Sequence, residues 1–195
     1  KVQAKDLGIS EPSILPGNPF YAAKKFMRIV QLTLTFDPLQ RAQALITQDN
    51  EKTLEAAKLL EKSSSRKTID LALATLAEIE KDFAKLKEKA GSISCHSGLD
   101  PESKTQEILK QVQAMALEPG SRDDKCKKVD AIVDQIIRNG LARQTVFSSI
   151  EDKVYGRDFV RVERIRQSVL KDGVDSLLQL TGGDAQALVL KLEKA

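Results

Sequence analysis

The chain is poor in most of the side chains that do chemistry. Among 195 residues there is no tryptophan, one histidine, two cysteines and two methionines, and the aromatic stock is six phenylalanines and two tyrosines. A structural zinc site draws on about four ligands, usually paired at short spacing. Here it would need Cys95, His96, Cys126 and a carboxylate such as Asp100 together. The C-x-x-C-H spacing of a haem attachment is missing. Cys95 and His96 are sequence neighbours on a loop, a poor arrangement for bringing a thiol and an imidazole into hydrogen-bond reach. Met27 and Met115 are too few for a soft-metal stripe. No run of 18 apolar residues exists to span a membrane; the longest apolar-rich stretch, Phe26–Phe36, is broken by Arg28 and Gln31. Charge of one sign is also scarce. The net charge is +3 and the pI about 8.8, and acids alternate with bases, as in Glu78-Ile79-Glu80-Lys81-Asp82 and Lys85-Leu86-Lys87-Glu88-Lys89. That is the pattern of solvated helix faces, without the basic stripe and interleaved aromatics of a nucleic-acid binder.

What is present favours helix. Ala, Leu, Lys, Glu and Gln dominate, and no strand pattern competes. Residues 1–16 contain Gly8, Pro12 and Pro16 and read as an extended lead-in, which Leu7, Ile9 and Ile14-Leu15 would pin to the core. A first helix is predicted over about 19–36 and a second, opened by Pro38, over about 38–62. After Ser63-Ser64-Ser65 a third runs over about 66–90, with Gly91 as its C′ residue. The second and third form a long antiparallel hairpin. Beyond a 91–101 loop the apolar spacing predicts a set of shorter helices: 101–117, 122–139, 141–154, 157–171 and one after Asp184. Asn139-Gly140 is read as a stop and Gly173 as a kink or end. The chain is therefore all-α, a multi-helix bundle. Residues 17–195 are taken as one helical domain, with a possible division into 17–90 and 102–195.

The densest punctuation lies at Leu15-Pro16-Gly17-Asn18-Pro19-Phe20-Tyr21, and again at Phe36-Asp37-Pro38. Asn18 suits an N-cap and Pro19 the first helical position; Asp37 before Pro38 ends one helix and caps the next. Phe20, Tyr21, Phe26 and Phe36 all fall in this stretch. Because aromatic rings bury the most area per residue, the first helix is expected to be the central core helix. Phe20, Ala23, Phe26, Met27, Val30 and Leu34 would face inward, with Lys24, Lys25 and Arg28 outward.

Other candidate sites are weak. Gly182-Gly183-Asp184 before a helix lacks the strand and lysine of a phosphate loop, so it reads as a cap. Asp123-Asp124 and the i, i+4 pair Asp130/Asp134 offer carboxylates that more often meet solvent or Lys127 and Arg138 than a cation. Cys95 and Cys126 allow one disulfide or two free thiols. No catalytic, cofactor-binding or metal-binding set emerges.

The opening Leu15–Tyr21 motif, the basic-aromatic helix after it and Phe36-Asp37-Pro38 before an Ala/Gln/Glu-rich helix resemble an uncharacterised bacterial domain family found in exported or surface proteins. The resemblance covers residues 5–62, with a less distinctive echo over Val129–Lys153. It supplies no functional residues. It implies export to the periplasm, the cell surface or the medium, which gives weight to the small-x-small triplet Val2-Gln3-Ala4 and to the disulfide. Ser94–Ser103 departs from the family and resembles a translated interspersed repeat element, so Cys95 and His96 would have come with an insertion. The expected function is a non-enzymatic binding or scaffolding module of the bacterial envelope, its partner a protein or another envelope component. A metal- or ligand-responsive envelope protein is the alternative, and a cell-wall or peptide hydrolase a third reading that lacks a visible site.

Overall fold

The computed structural model describes residues 3–93 and 119–193. Among them are six α-helices and no strand: α1 (Tyr21–Leu34), α2 (Pro38–Lys62), α3 (Arg66–Ile93), α4 (Pro119–Glu151), α5 (Arg157–Leu180) and α6 (Ala185–Leu192). A 3-10 turn, Ala4–Leu7, precedes them.

The start signals act as their chemistry predicts. Asp37 accepts the Leu39 N–H at 3.0 Å with Pro38 in the first turn of α2. Asp184 accepts the Ala187 N–H at 2.9 Å and opens α6. Before α1, Asn18 accepts the Phe20 N–H at 2.9 Å, so it closes a turn one step ahead of the helix. Gly17 makes that turn possible, because its φ is +91° and a side chain there would meet Leu71 at 3.1 Å.

Helices α2 and α3 form the expected hairpin. α2 also packs on α4, and α5 packs on both α3 and α4, so four long helices close a ring around one continuous core. The rings at its centre are Phe83 of α3 and Phe147 of α4, 1% and 0% exposed. The lead-in is more structured than an extended strap. Leu7 is fully buried against α2 and α4, and Asn50 donates to the Leu7 carbonyl at 3.0 Å.

The expected break at Asn139-Gly140 does not occur. The inward stripe Val129, Ile132, Val133, Ile136, Ile137, Val146, Phe147 and Ile150 keeps one helical register straight through Gly140. A helical glycine costs only about 1 kcal/mol against alanine, less than the burial this stripe gains. The predicted 122–139 and 141–154 helices are thus one helix of 33 residues. Gly173 likewise sits within the 24-residue α5 and packs near Phe83, and Gly91 lies inside α3. The set of shorter C-terminal helices is corrected accordingly. The helix predicted over 101–117 lies outside the described residues.

The larger correction concerns α1. Phe20, Phe26 and Phe36 are 71%, 63% and 89% exposed, and α1 rests on the outside of α2. The aromatic segment is not the hub of the bundle. The helix is turned over, with its charged face inward, for a reason supplied by α2.

Candidate functional site: an apolar helix face on an ionic underside

In the middle of α2 the apolar stripe gives way to seven polar residues, Thr47-Gln48-Asp49-Asn50-Glu51-Lys52-Thr53, with Glu55 just beyond. Most are buried, and Glu55 is 0% exposed. A buried carboxylate requires donors, and α1 provides them. Tyr21, Lys24 and Arg28 recur at three- and four-residue spacing and so share one face. Tyr21 donates its hydroxyl to Glu55 at 2.8 Å and Lys24 donates to Glu55 at 2.6 Å. Arg28 donates to Glu55 at 2.8 Å and to Glu51 at 2.6 Å. Gln48 donates to the Arg28 carbonyl at 3.3 Å, and Lys25 reaches across to Glu78 of α3 at 2.5 Å. Burial alone would lower the Arg28 pKa, but Glu51 and Glu55 overcome it and hold the guanidinium above its ordinary value. Burial and the adjacent Glu55 raise the Tyr21 phenol, keeping it a hydrogen-bond donor.

With its polar side turned inward, α1 presents the other side to solvent. At 3.6 residues per turn, Ile29 and Met27 lie about 160° apart across the outward sector, with Ala22, Thr33, Phe26, Val30, Ala23 and Leu34 between them. No charge falls in that sector. Phe20 and Phe36 extend it at the two ends. The six large side chains Phe20, Phe26, Met27, Ile29, Leu34 and Phe36 are each 61% exposed or more. At roughly 100 Å² or more apiece, they make an apolar surface of roughly 600 Å², at or above the largest patch of an ordinary monomer. Beside it, a groove of about 340 Å³ runs between α1, α2 and α3, floored by Ala42, Leu45, Leu86 and Ile93 and bordered by Arg41, Lys85 and Lys89.

A second polar cluster lies deeper. Lys52 donates to Asp49 at 3.2 Å and to Asp82, and Lys85 donates to Asp82 at 2.8 Å. Arg143 of α4 donates to Asn50 at 2.7 Å and lies over the Phe83 ring, 4.6 Å from its centroid. Burial pushes the Asp49 carboxyl up to about 7 against the pull of Lys52, and it brings Arg143 down to about 10. Asp82 goes the other way: burial would raise it, but the Lys52 and Lys85 bonds hold it below the usual range. These groups bond one another and tie α2, α3 and α4 together, a structural role.

The residues singled out from sequence fall elsewhere. Cys95, His96, Asp100 and Met115 lie outside the described residues. Cys126 is half-buried on α4 and carries no disulfide to any described residue. Asp130 and Asp134 both pair with Lys191 of α6, at 3.3 and 2.9 Å. Asp124 is exposed, and Asp184 is the cap of α6. Among the described residues no three His, Cys, Asp or Glu side chains gather as a metal site would require, and no helix is long and apolar enough to cross a membrane. Of the residues that organise this surface, Arg28 is expected from sequence to face solvent and is instead buried on Glu51 and Glu55, two residues not assigned a role from sequence. Their signal was the polar run inside α2, with carboxylates at i, i+4.

No curated protein and no solved structure matches the chain. Residues 13–154 match a family described as a domain of unknown function (DUF5667), and this span takes in the Leu15–Tyr21 motif, α1, the α2–α3 hairpin and all of α4. With well over half of its length in that match, the chain belongs to this domain family of unknown function.

Proposed function

We propose that the domain is a non-enzymatic docking module of the bacterial envelope, exported, with the outward face of α1 as its working surface. The observation that carries this reading is the inversion of α1. Lys24, Lys25, Arg28 and Tyr21 hold the helix down, and the six large apolar side chains of this face are left to solvent. Apolar surface gains about 25 cal/mol for every Å² removed from water, so roughly 600 Å² is a substantial reserve for association. The deeper charged cluster is bonded within itself, which supports a scaffold over a catalyst.

The test is fractionation of the parent bacterium producing the tagged full-length protein, wild type or Phe26→Asp. The wild type should be retained with the envelope fraction and Phe26→Asp released from it, with both retaining the same helical circular dichroism. Wild type in the cytosolic fraction, or equal retention of the variant, overturns the reading.

A further inference from the structure

Resting on that docking reading, we infer that the occupant of the α1 face is a bilayer surface bearing anionic lipid, on which α1 lies in the plane of the headgroups. Three features point to a membrane instead of a partner helix. The first is width. Helices that pack on a protein core carry an apolar stripe of about 100° or more, and here an uncharged sector of about 160° is open. A flat hydrocarbon boundary covers a sector that wide; one partner helix leaves its edges wet.

The second is composition. α1 contains Lys24, Lys25 and Arg28 and no acid, with Phe, Met, Ile and Leu on its other side. The Phe, Met, Ile and Leu side is the kind an interfacial helix sinks to the acyl boundary, while the basic side is held by Glu51, Glu55 and Glu78. At 14 residues α1 is far too short to cross a bilayer. Phe20 and Phe36, the most exposed rings of this segment at 71% and 89%, stand at its two ends.

The third is charge at the border. Lys81, Lys85 and Lys89 follow one another along an exposed edge of α3, beside Leu32 and Ile29 of α1, and Arg41 of α2 joins them. The acids that share these grooves are matched from within, Glu78 by Lys25 and Asp82 by Lys52 and Lys85, which leaves Lys81, Lys89 and Arg41 as the excess charge. The border of the apolar sector is therefore basic, matched to lipid phosphates, and each such lysine near an anionic surface is worth on the order of a few-fold in partition.

The test is co-sedimentation of the chain with large unilamellar vesicles of phosphatidylcholine, with and without phosphatidylglycerol, alongside sedimentation velocity without lipid. Wild type should partition onto the phosphatidylglycerol vesicles and less onto phosphatidylcholine alone. Phe26→Asp should lower partition onto both at least about tenfold. Lys81→Ser with Lys89→Ser should lower only the phosphatidylglycerol component, by a few-fold, and 0.5 M salt should mimic that loss. Both positions are exposed, so folding is retained, and circular dichroism confirms it. Wild type that stays in the supernatant overturns the bilayer. If it then sediments as a dimer that Phe26→Asp makes monomeric, the docking reading survives with a second copy as occupant. If it is monomeric and envelope retention ignores Phe26→Asp, both readings fall.

Discussion

The Arg28 guanidinium donates to the Glu55 carboxylate at 2.8 Å across the α1–α2 interface, and both side chains are buried. That contact decides which way α1 faces. Helix α1 has an apolar face and a basic face, and either could turn toward the bundle. Glu55, at 0% exposure, cannot be left without donors, so the basic face wins and the rings go outward.

Neutralising Glu55 should therefore loosen α1 without melting the bundle. Breaking a buried ion pair usually costs about 3–5 kcal/mol, because the surviving charge is stranded. In Glu55→Gln, Tyr21 loses its carboxylate and Lys24 and Arg28 keep only Glu51, all on a helix that can lift away into water. The cost is thus limited to what α1 gains by docking. Hydrogen exchange should show α1 amides losing protection at least about tenfold, with protection of α3 and α5 changed far less. Equal loss across all helices would mean that α1 is an integral part of the cooperative core.

Phe36 gives a cleaner contrast. Were it a core ring, Phe36→Ser would cost about 3–5 kcal/mol. Since it is 89% exposed, the substitution should stay within about 0.5 kcal/mol in urea denaturation. Phe83→Ala or Phe147→Ala should show the full core penalty, because those two rings are buried at 1% and 0% exposure.

Much of this architecture was legible in the sequence. Pro38 behind Asp37, the Ser63–Ser65 turn and the Asp184 cap have local chemistry that no tertiary contact contradicts, so the α2–α3 hairpin and α6 follow from them. The orientation of α1 does not follow from its own residues. It depends on which side chains of α2 are buried, and the seven-residue polar run through the middle of α2 was the clue. A helix interior that buries Gln48, Asp49, Asn50 and Lys52 themselves needs polar partners from other elements. Continuity through Gly140 was missed for the opposite reason. Asn139-Gly140 is a strong local stop, yet the apolar register before and after it agrees, and tertiary burial outweighs a local cost of about 1 kcal/mol.

Asp49 should give the fold an unusual dependence on pH. Its folded-state pKa of about 7 lies above the ordinary carboxylate value of about 3.9. The folded protein therefore holds a proton that the unfolded chain has released, and unfolding free energy falls as pH rises through that interval. The facing charges are Lys52, Asp82 and Arg143; Asp82, held low, acts only below this window. Stability in urea should be greater at pH 5 than at pH 8, and Asp49→Asn should flatten the slope between them. A wild-type profile that rises over that range would show that Lys52 and Arg143 outweigh burial.

Gly140 offers a stabilising change. It lies in the interior of α4, and a Cβ added there would meet nothing within 4 Å. Alanine restricts the unfolded chain and restores helix propensity, together worth about 0.5–1 kcal/mol. For a chain of this size, that corresponds to a rise of roughly 1–4 °C in Tm. Gly173→Ala is the comparison. Its new methyl would lie 3.6 Å from the Phe83 ring, an ordinary contact, so it should gain at least as much by filling space against the core. Thermal melts followed at 222 nm would decide both. A fall in Tm for Gly140→Ala would mean that α4 needs a break at Asn139-Gly140, and its 33 residues would then act as two helices.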